Sequence, residues 1–319
     1  MGWKIPAATG FAEAILAPLQ RGLTAIERVG MLWDAWRGYP CLKRRFARKL
    51  GYEGDFYAPK TLNEKINWRK LHDRAAVYPV IADKVRLRDY LAQSLGADRA
   101  DAILPNRRLV TARPTVANLS AVGTGVVIKA NHGSGWVRII AHGTQPDWPQ
   151  IAADARMWLR RTYGLRKHEW AYWAIPPQIL VEDLVLGADG EPAQDLKFTM
   201  IGGHCVYVFV MQDFFGDQKT AYFNVDWQEI PPAGGNGGLC AADQFPAPAY
   251  FPQLLALAQE IARDFDYIRV DFLCGVQQWC LNELTLYRSS GFEAFDPPEL
   301  DLAYGTLWAH RPYQGLWRG

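Results

Sequence analysis

Cysteine is scarce and badly spaced for any framework: the five thiols, Cys41, Cys205, Cys240, Cys274 and Cys280, are odd in number and form no C-x-x-C or Cys/His cluster. A disulfide scaffold and a zinc knuckle are disfavoured, and buried thiols in a reducing compartment are expected. An excess of charge is missing too. Lys plus Arg number 35 against 33 Asp plus Glu, a balance of +2, which argues against a nucleic-acid-wrapping protein whose affinity comes from released counterions. A small anionic ligand stays compatible with that balance. Long apolar runs are lacking as well: Phe11 to Leu19 is interrupted by Glu13 and Pro18 and falls short of the roughly 20 residues that span a bilayer. No signal-peptide pattern is visible, so a cytoplasmic protein without an integral membrane segment is expected. Internal repeats and low-complexity tracts are absent, apart from the glycine-rich stretch Gly234 to Gly238, which reads as a flexible loop.

What is present suits a chain of two or three subdomains of about 100 to 150 residues each. Apolar positions at helical spacing (Phe11, Ile15, Leu16, Leu19, Leu23, Ile26, Val29) form a helical preface. Gly38-Tyr39-Pro40 separates it from a basic helix, Leu42 to Leu50. The basic run Lys43, Arg44, Arg45, Arg48 and Lys49 fits a solvated helix face, with peripheral contact to an anionic membrane left open. Helical segments follow at Leu62 to Leu71, Val80 to Leu95, Ile151 to Tyr163 and Leu254 to Phe265. Strand-like runs lie at Ile103-Leu104, Gly125 to Lys129, Gln178 to Leu184, Leu196 to Ile201, Cys205 to Gln212, Tyr267 to Leu273 and Trp279 to Leu284. Two α+β lobes result.

Three constellations carry chemistry. In Ile128 to Gly135 (I-K-A-N-H-G-S-G) a lysine closes a strand and a loop with two glycines follows. Such a loop can lay backbone N–H groups against phosphate oxygens beside a cation. Alone it also fits an ordinary turn, being neither G-x-x-x-x-G-K-[ST] nor G-x-G-x-x-G. Arg269-Val270-Asp271-Phe272 precedes Asn282-Glu283-Leu284-Thr285 across a turn at Gly275. Adjacent antiparallel strands would bring Asp271 and Glu283 together in an apolar frame, as Mg²⁺ on a nucleotide requires. Leu180 to Leu184 leads through a turn at Gly187 to Gly190 towards Asp195-Leu196-Lys197-Phe198, either an edge strand with surface acids or a hinge offering backbone groups to an adenine edge. Asp83-Lys84 opens a helix, either as a charged first turn or as a phosphate-reaching lysine.

In this order, Thr61 to Ile66, Ala82-Asp83-Lys84 with Arg88-Asp89-Tyr90, Ile128 to Gly135, Asp195 to Phe198, and Arg269-Val270-Asp271 with Glu283-Leu284-Thr285 and Ser290-Gly291 resemble the ATP-grasp superfamily. More narrowly they resemble its TupA-like branch, associated with teichuronopeptide and other cell-envelope polysaccharide biosynthesis. The resemblance implies an α+β ATP-grasp fold, two lobes with nucleotide between them after an N-terminal helical segment. The corresponding division is a pre-ATP-grasp region at 1–78, an N-terminal lobe at 79–180 and a C-terminal lobe with the metal site at 181–319. It implies ATP and Mg²⁺ as cofactors. Lys84 and Lys129 would hold phosphates, the loop His132, Gly133, Ser134 and Gly135 would close over them, and Glu182, Asp183 and Leu184 would form the adenine hinge. Asp195 would reach the ribose or orient Lys197. Lys197 and Arg269 would face the γ-phosphate as the catalytic cations, and Asp271 and Glu283 would bind magnesium. Thr285 stands where the commonest superfamily pattern has an Asn, which leaves the number of magnesium ions open. His132 also reads as a hydrogen-bonding spacer, and Trp136 and Trp158, two of 13 tryptophans, as packing residues.

The implied reaction is ATP-dependent activation of a carboxylate, for instance of a sugar acid, as an acyl phosphate that an amine or amino acid converts to an amide. The alternatives are a kinase acting on a sugar hydroxyl and a glycosyltransferase-type polysaccharide enzyme; a nucleotide-binding module without turnover is a further rival. The partner expected is a small-molecule or glycan acceptor, not nucleic acid, and oligomeric state is not legible.

Overall fold

The computed structural model describes residues 24–187, 190, 193–212, 218–231, 238–239, 242–275, 278–315 and 317. The helices, in chain order, are α1 (24–36), α2 (Pro40–Leu50), α3 (Leu62–His72), α4 (Tyr78–Ala82), α5 (Leu87–Leu95), α6 (Ala97–Ile103), α7 (Val116–Ser120), α8 (Trp148–Leu159), α9 (Phe251–Ala262) and α10 (Glu299–Leu307). The strands are β1 (Arg107–Thr111), β2 (Val126–Ala130), β3 (Val137–Ile140), β4 (Ile179–Asp183), β5 (Gln194–Ile201), β6 (His204–Gln212), β7 (Lys219–Phe223), β8 (Gly238–Leu239), β9 (Tyr267–Cys274) and β10 (Trp279–Thr285). The chain divides into two units.

Unit 1 comprises residues 24–38, Asp83–Val85 and Pro105–Leu184 of the described chain. Its four antiparallel strands run in the order β1-β4-β2-β3. Strand side chains alternate between faces. Val126, Ile128, Ala130, Ile179 and Val181 therefore share one face, packed with Leu119 of α7 and with Ile151, Ala152, Ala155 and Trp158 of α8. Lys129 and Glu182 are left to the other face.

Unit 2 comprises Tyr39–Ala82, Arg86–Leu104 and the described residues from Val185 onward. Its six strands run β10-β9-β5-β6-β7-β8, antiparallel except for the parallel β7–β8 pair. Leu196, Phe198, Val270 and Phe272 are buried on one face, where Phe198 stacks on Phe251 of α9 at 5.8 Å. In register on the opposite face stand Lys197, Asp271 and Glu283, with Thr199, Arg269 and Thr285 in the neighbouring row. A bulge between Leu281 and Glu283 re-aims the glutamate towards Asp271.

α3 is an unusual helix, because its polar side chains are as buried as its apolar ones: Asn63, Asn67, Arg69 and Lys70 are inaccessible alongside Leu62 and Ile66. Each has an identified partner. Asn67 Nδ2 donates to Gly291 O at 2.9 Å, Lys70 Nζ donates to Ser290 O at 2.9 Å, and Asn63 Nδ2 donates to Asp301 at 2.8 Å. Arg69 pairs with Asp266 and lies over the Trp308 ring at 4.5 Å. The helix opens on a capping box in which Thr61 accepts from the Glu64 amide and Glu64 accepts from the Thr61 amide.

Several sequence expectations are corrected. Ile103-Leu104 is not a strand: Ile103 ends α6, and the strand comes after Pro105, at β1. The helix expected over Val80 to Leu95 is broken into α4 and α5 where Asp83 turns back on itself, its carboxylate accepting the Val85 amide at 2.9 Å. Cys41 is exposed, whereas Cys274 and Cys280 are buried. The helical positions Phe11 to Leu23, the glycines Gly234 to Gly237, Cys240 and part of the turn between Gly187 and Gly190 lie outside the described residues.

Candidate nucleotide and metal site

In unit 1, Asn131 is the knot. It follows β2 directly; its Nδ2 donates to Asp83 Oδ1 at 2.8 Å and to Pro176 O at 3.0 Å, and its Oδ1 accepts the Gln178 amide at 2.7 Å. The Lys84 amide donates to Asn131 O, and Lys84 Nζ reaches Gly133 O at 2.9 Å. The Asp83-Lys84 and Ile128–Gly135 segments, distant in sequence, are thus one assembly. Asn131 stands inside the sequence motif, but nothing in the pattern distinguishes it from the glycines and lysine around it.

The loop after Asn131 is held from beneath. His132 is buried, with Nδ1 3.1 Å from Asn131 Oδ1 and Nε2 3.2 Å from the carbonyls of Trp158 and Arg161 at the end of α8. Burial pulls the His132 pKa down and Lys84 adds repulsion, against the opposing pull of those carbonyls. Both ring nitrogens of the imidazole are thus within hydrogen-bond reach of groups of the protein itself. Gly133 must lack a side chain because a Cβ there would sit 2.7 Å from the Trp136 ring. Gly135 has a left-handed backbone, φ 76°. Only Ser134 and Gly135 at the tip are exposed.

Lys129 Nζ lies 2.7 Å from Glu182 Oε2, and both side chains are about nine-tenths buried. Asp183 is bound by Arg108 Nε at 2.5 Å and Asn106 Nδ2 at 3.0 Å. Burial raises its carboxyl, but the bonds from Arg108 and Asn106, with the Arg108 charge, more than reverse this and hold it below its usual value. The amides of Asp183 and Leu184 donate to Asn106 O and Gly125 O. Of the hinge expected at Glu182 to Leu184, two amides and two carboxylates are therefore engaged inside the protein.

In unit 2, β9 runs between β10 and β5 and brings Lys197, Asp271 and Glu283 into one row, with Arg269 and Thr285 in the next. Arg269 Nε and Nη2 donate to the two oxygens of Asp271 at 2.7 and 2.5 Å, Nη2 also donates to Thr285 Oγ1 at 3.1 Å, and Glu283 Oε1 lies 3.8 Å away. Thr285, at the position where an Asn is commonest, supports the arginine. Asp271 is fully buried. Burial pushes its carboxyl up, and Glu283 adds to this, against the pull of Arg269 and Lys197. For Arg269, burial opposes the charge, yet Asp271 and Glu283 outweigh it and hold the guanidinium above its usual value. These directions differ over the same pair. The bidentate geometry is that of a charged carboxylate, so the arginine's direction is the one to hold. Lys197 Nζ lies 3.3 Å from Asp195 Oδ2, while Asp195 Oδ1 is buried without a hydrogen-bond partner among the described residues.

The donor set fits magnesium bound through nucleotide phosphates. Asp271 and Glu283, in register on adjacent strands, are the kind of carboxylate pair that would supply the protein ligands of such an ion, with both oxygens of Asp271 held by Arg269 in this structure, and no cluster of three or more His, Cys, Asp or Glu able to cage a metal occurs among the described residues. The unpartnered oxygen of Asp195 calls for a donor such as water or a ligand hydroxyl.

Beyond the strands stand residues that sequence reasoning does not single out. Asn67 and Lys70 of α3 grip the turn Arg288–Gly291 that follows β10. Arg288 is buried against Glu293, 3.1 Å away. Ser289, Ser290 and Gly291 have left-handed backbones, with φ of 44°, 58° and 66°. A Cβ on Gly291 would lie 2.6 Å from Asn67 Nδ2. Ser290-Gly291, one of the segments that carry the resemblance, is thus held by the helix that another of them, Thr61 to Ile66, opens.

Among solved structures, the chain is similar to the ATP-grasp ligase PsnB complexed with a phosphomimetic variant of minimal precursor, Mg and ADP (13% identity, 72% of this chain, 60% of that chain, TM-score 0.37). It is similar to D-alanine–D-alanine ligase from Bacillus anthracis complexed with ATP (15%, 72% and 63%, TM-score 0.39) and to N5-carboxyaminoimidazole ribonucleotide synthetase from Thermus thermophilus (12%, 76% and 58%, TM-score 0.39). The chain spans about three fifths of the length of these proteins. No curated protein matches it. The family model described as TupA-like ATPgrasp matches residues 64–309, a span that takes in α3 from Glu64 onward, the Asn131 assembly and Arg269, Asp271 and Glu283, and the chain belongs to that family.

Proposed function

We propose that the protein is an ATP- and magnesium-dependent ligase that activates a carboxylate, such as that of a sugar acid, as an acyl phosphate and passes it to an amine or amino acid in the synthesis of an envelope polysaccharide or related glycoconjugate. The observation that carries the reading is the row Lys197–Asp271–Glu283, with Arg269 bound to Asp271 and Thr285, on one face of a sheet whose other face is core. Lys84 and Lys129 neutralise phosphate oxygens, with Ser134 and Gly135 as the part of the loop that closes. Lys197 and Arg269 face the charge that develops on the transferred phosphoryl group. Asp195 takes a ribose hydroxyl on its open oxygen or holds Lys197. Asp271 and Glu283 would hold magnesium, which neutralises and orients phosphate oxygens when bound. The lobes of this reading are 79–180 and 181–319, after a helical region ending at residue 78.

In the reaction the acceptor carboxylate oxygen attacks the γ-phosphorus and ADP leaves. The amine then attacks the acyl carbon, the C–N bond forms, phosphate departs with the C–O bonding pair, and the proton shed by the amine nitrogen passes to the departing phosphate or to solvent. Positioning and electrostatics supply most of the acceleration in such chemistry, so the row needs no dedicated general base. The test is incubation with ATP, Mg²⁺ and a panel of sugar acids, with and without hydroxylamine. Hydroxamate together with ADP supports the ligase. A phosphorylated hydroxyl assigns a kinase instead, and ATP binding without ADP formation across the panel refutes turnover of this class.

A further inference from the structure

Helix α1 is amphipathic in the opposite sense to an ordinary surface helix. Its polar side faces unit 1: Glu27 pairs with Arg166 at 3.0 Å, Arg28 donates to Thr162 at 3.4 Å, and Asp34 meets His168 at 3.0 Å with both side chains buried. His168 takes a left-handed backbone, φ 57°, where it meets that aspartate. The apolar side faces outward. Ile26, Val29, Trp33 and Trp36, at i, i+3, i+7 and i+10, form one stripe with Leu32 beside it, and their exposures are 68, 67, 47, 83 and 62% respectively. A helix held only for packing turns this side to the core. These side chains account for half of the large exposed hydrophobics of the described chain: Ile26, Val29, Leu32, Trp33 and Trp36, against Tyr57, Val116, Val225, Leu302 and Leu307 elsewhere.

Cations accompany the stripe. Arg28 and Arg37 are exposed, and Arg37 lies over the Trp33 ring at 4.7 Å. Two tryptophans with aliphatic neighbours and cations on the same segment are the composition that settles at a lipid headgroup boundary, where indole rings favour the interface and cations meet anionic headgroups. No helix among the described residues is long and apolar enough to cross a membrane, so such contact is in the plane of the surface.

We propose that the exposed stripe of α1 is a docking face for an anionic phospholipid surface. The polar contacts to Arg166, Thr162 and His168 hold the helix to unit 1 with its apolar side outward, ready to enter the interface without unfolding. Binding through this face uses none of the nucleotide groups and stands whether or not the ligase reading is correct.

The test is co-sedimentation of the full chain with phosphatidylglycerol and with phosphatidylcholine vesicles, beside a Trp33→Ser/Trp36→Ser variant. Both positions are exposed, so the variant's circular dichroism and ATP binding should match the parent. The expected result is binding to phosphatidylglycerol that falls about tenfold or more in the variant and weakens on phosphatidylcholine or in high salt. Absence of binding by the parent overturns the proposal, as does equal binding by the variant, which would place the contact on another segment such as residues 1–23. Equal binding to both lipids overturns the anionic choice. A lipid-free dimer in sedimentation velocity that the variant abolishes, without vesicle binding, assigns the face to a second copy.

Discussion

Replacing Asp271 by Asn tests whether the carboxylate row is held as a charged unit. Two carboxylates facing each other with no metal would repel, and removing one would then stabilise the protein. The arrangement here is different, because Arg269 donates to both oxygens of Asp271 and lies 3.8 Å from Glu283. Asp271→Asn leaves a guanidinium that is only 14% exposed with a single more distant carboxylate, and breaking a buried pair in this way costs about 3 to 5 kcal/mol. Glu283, with 27% of its side chain exposed, should lose no more than about 1 kcal/mol on change to Gln. The double variant Arg269→Met/Asp271→Asn removes both charges and should recover most of the loss, giving a coupling of about 3 kcal/mol in the cycle. Urea denaturation of the parent, Asp271→Asn, Arg269→Met and the double variant, without nucleotide or Mg²⁺, measures it. ADP production across a Mg²⁺ series should meanwhile fail in all variants, Glu283→Gln included, so stability and turnover separate at Glu283 and not at Asp271. An Asp271→Asn protein as stable as the parent, or a cycle additive to within about 0.5 kcal/mol, refutes the argument.

Strand periodicity carries the site because function and core use opposite faces of the same strands. Alternation places Lys197, Asp271 and Glu283 on one side as soon as Leu196, Phe198, Val270 and Phe272 are read as core, and the turn at Gly275 identifies which strands are neighbours. The register is not fully readable: the bulge before Glu283 leaves no mark in an alternation pattern. β3 and β7 are short and partly polar, so neither is visible. The counterion is equally hidden, since an arginine two residues before a carboxylate looks the same whether it points to a ligand or to that carboxylate. α3 shows a deeper limit. Its polar residues look solvated in a helical wheel, yet Asn63, Asn67, Arg69 and Lys70 are buried, because their partners are carbonyls and carboxylates near the end of the chain. Periodicity records how apolar a face is and carries nothing about polar groups that satisfy each other at long range. Where the sequence presents Lys129 and Asp183 as reaching ligands, the structure pairs them with Glu182 and Arg108.

Lys129→Met should weaken ATP binding by about 1.5 to 3 kcal/mol, and because it also strands Glu182, the Lys129→Met/Glu182→Gln protein should regain stability without regaining affinity; calorimetric titration that finds parental affinity in both retires the phosphate role. In Ellman titration at about pH 8, near the ordinary thiol value, Cys41→Ser should remove one fast thiol, whereas Cys274, buried and pushed up to about 12 by that burial, should react only on unfolding; fast reaction of Cys274 contradicts its burial. Gly291→Ala should lower the thermal midpoint and ADP production together, since φ is 66° and the new Cβ would meet Asn67; a parental midpoint would show that α3 yields more readily than its contacts suggest. The last prediction concerns His310, stacked on Trp68 at 4.1 Å, whose pKa is held down at about 4 by burial, with the Lys65 and Arg69 charges acting in the same direction against Asp266. The unfolded chain takes up a proton near the ordinary histidine value of about 6.5 and the native state resists until about 4. This residue's contribution is therefore complete above the first value and is lost as pH falls towards the second. His310→Gln should flatten the dependence of denaturation midpoint on pH across that window while leaving the acid limb below it, which belongs to carboxylates such as Asp183, unchanged. A slope identical to the parent's would mean that the ring is already protonated in the native protein and that Asp266, not burial, governs it.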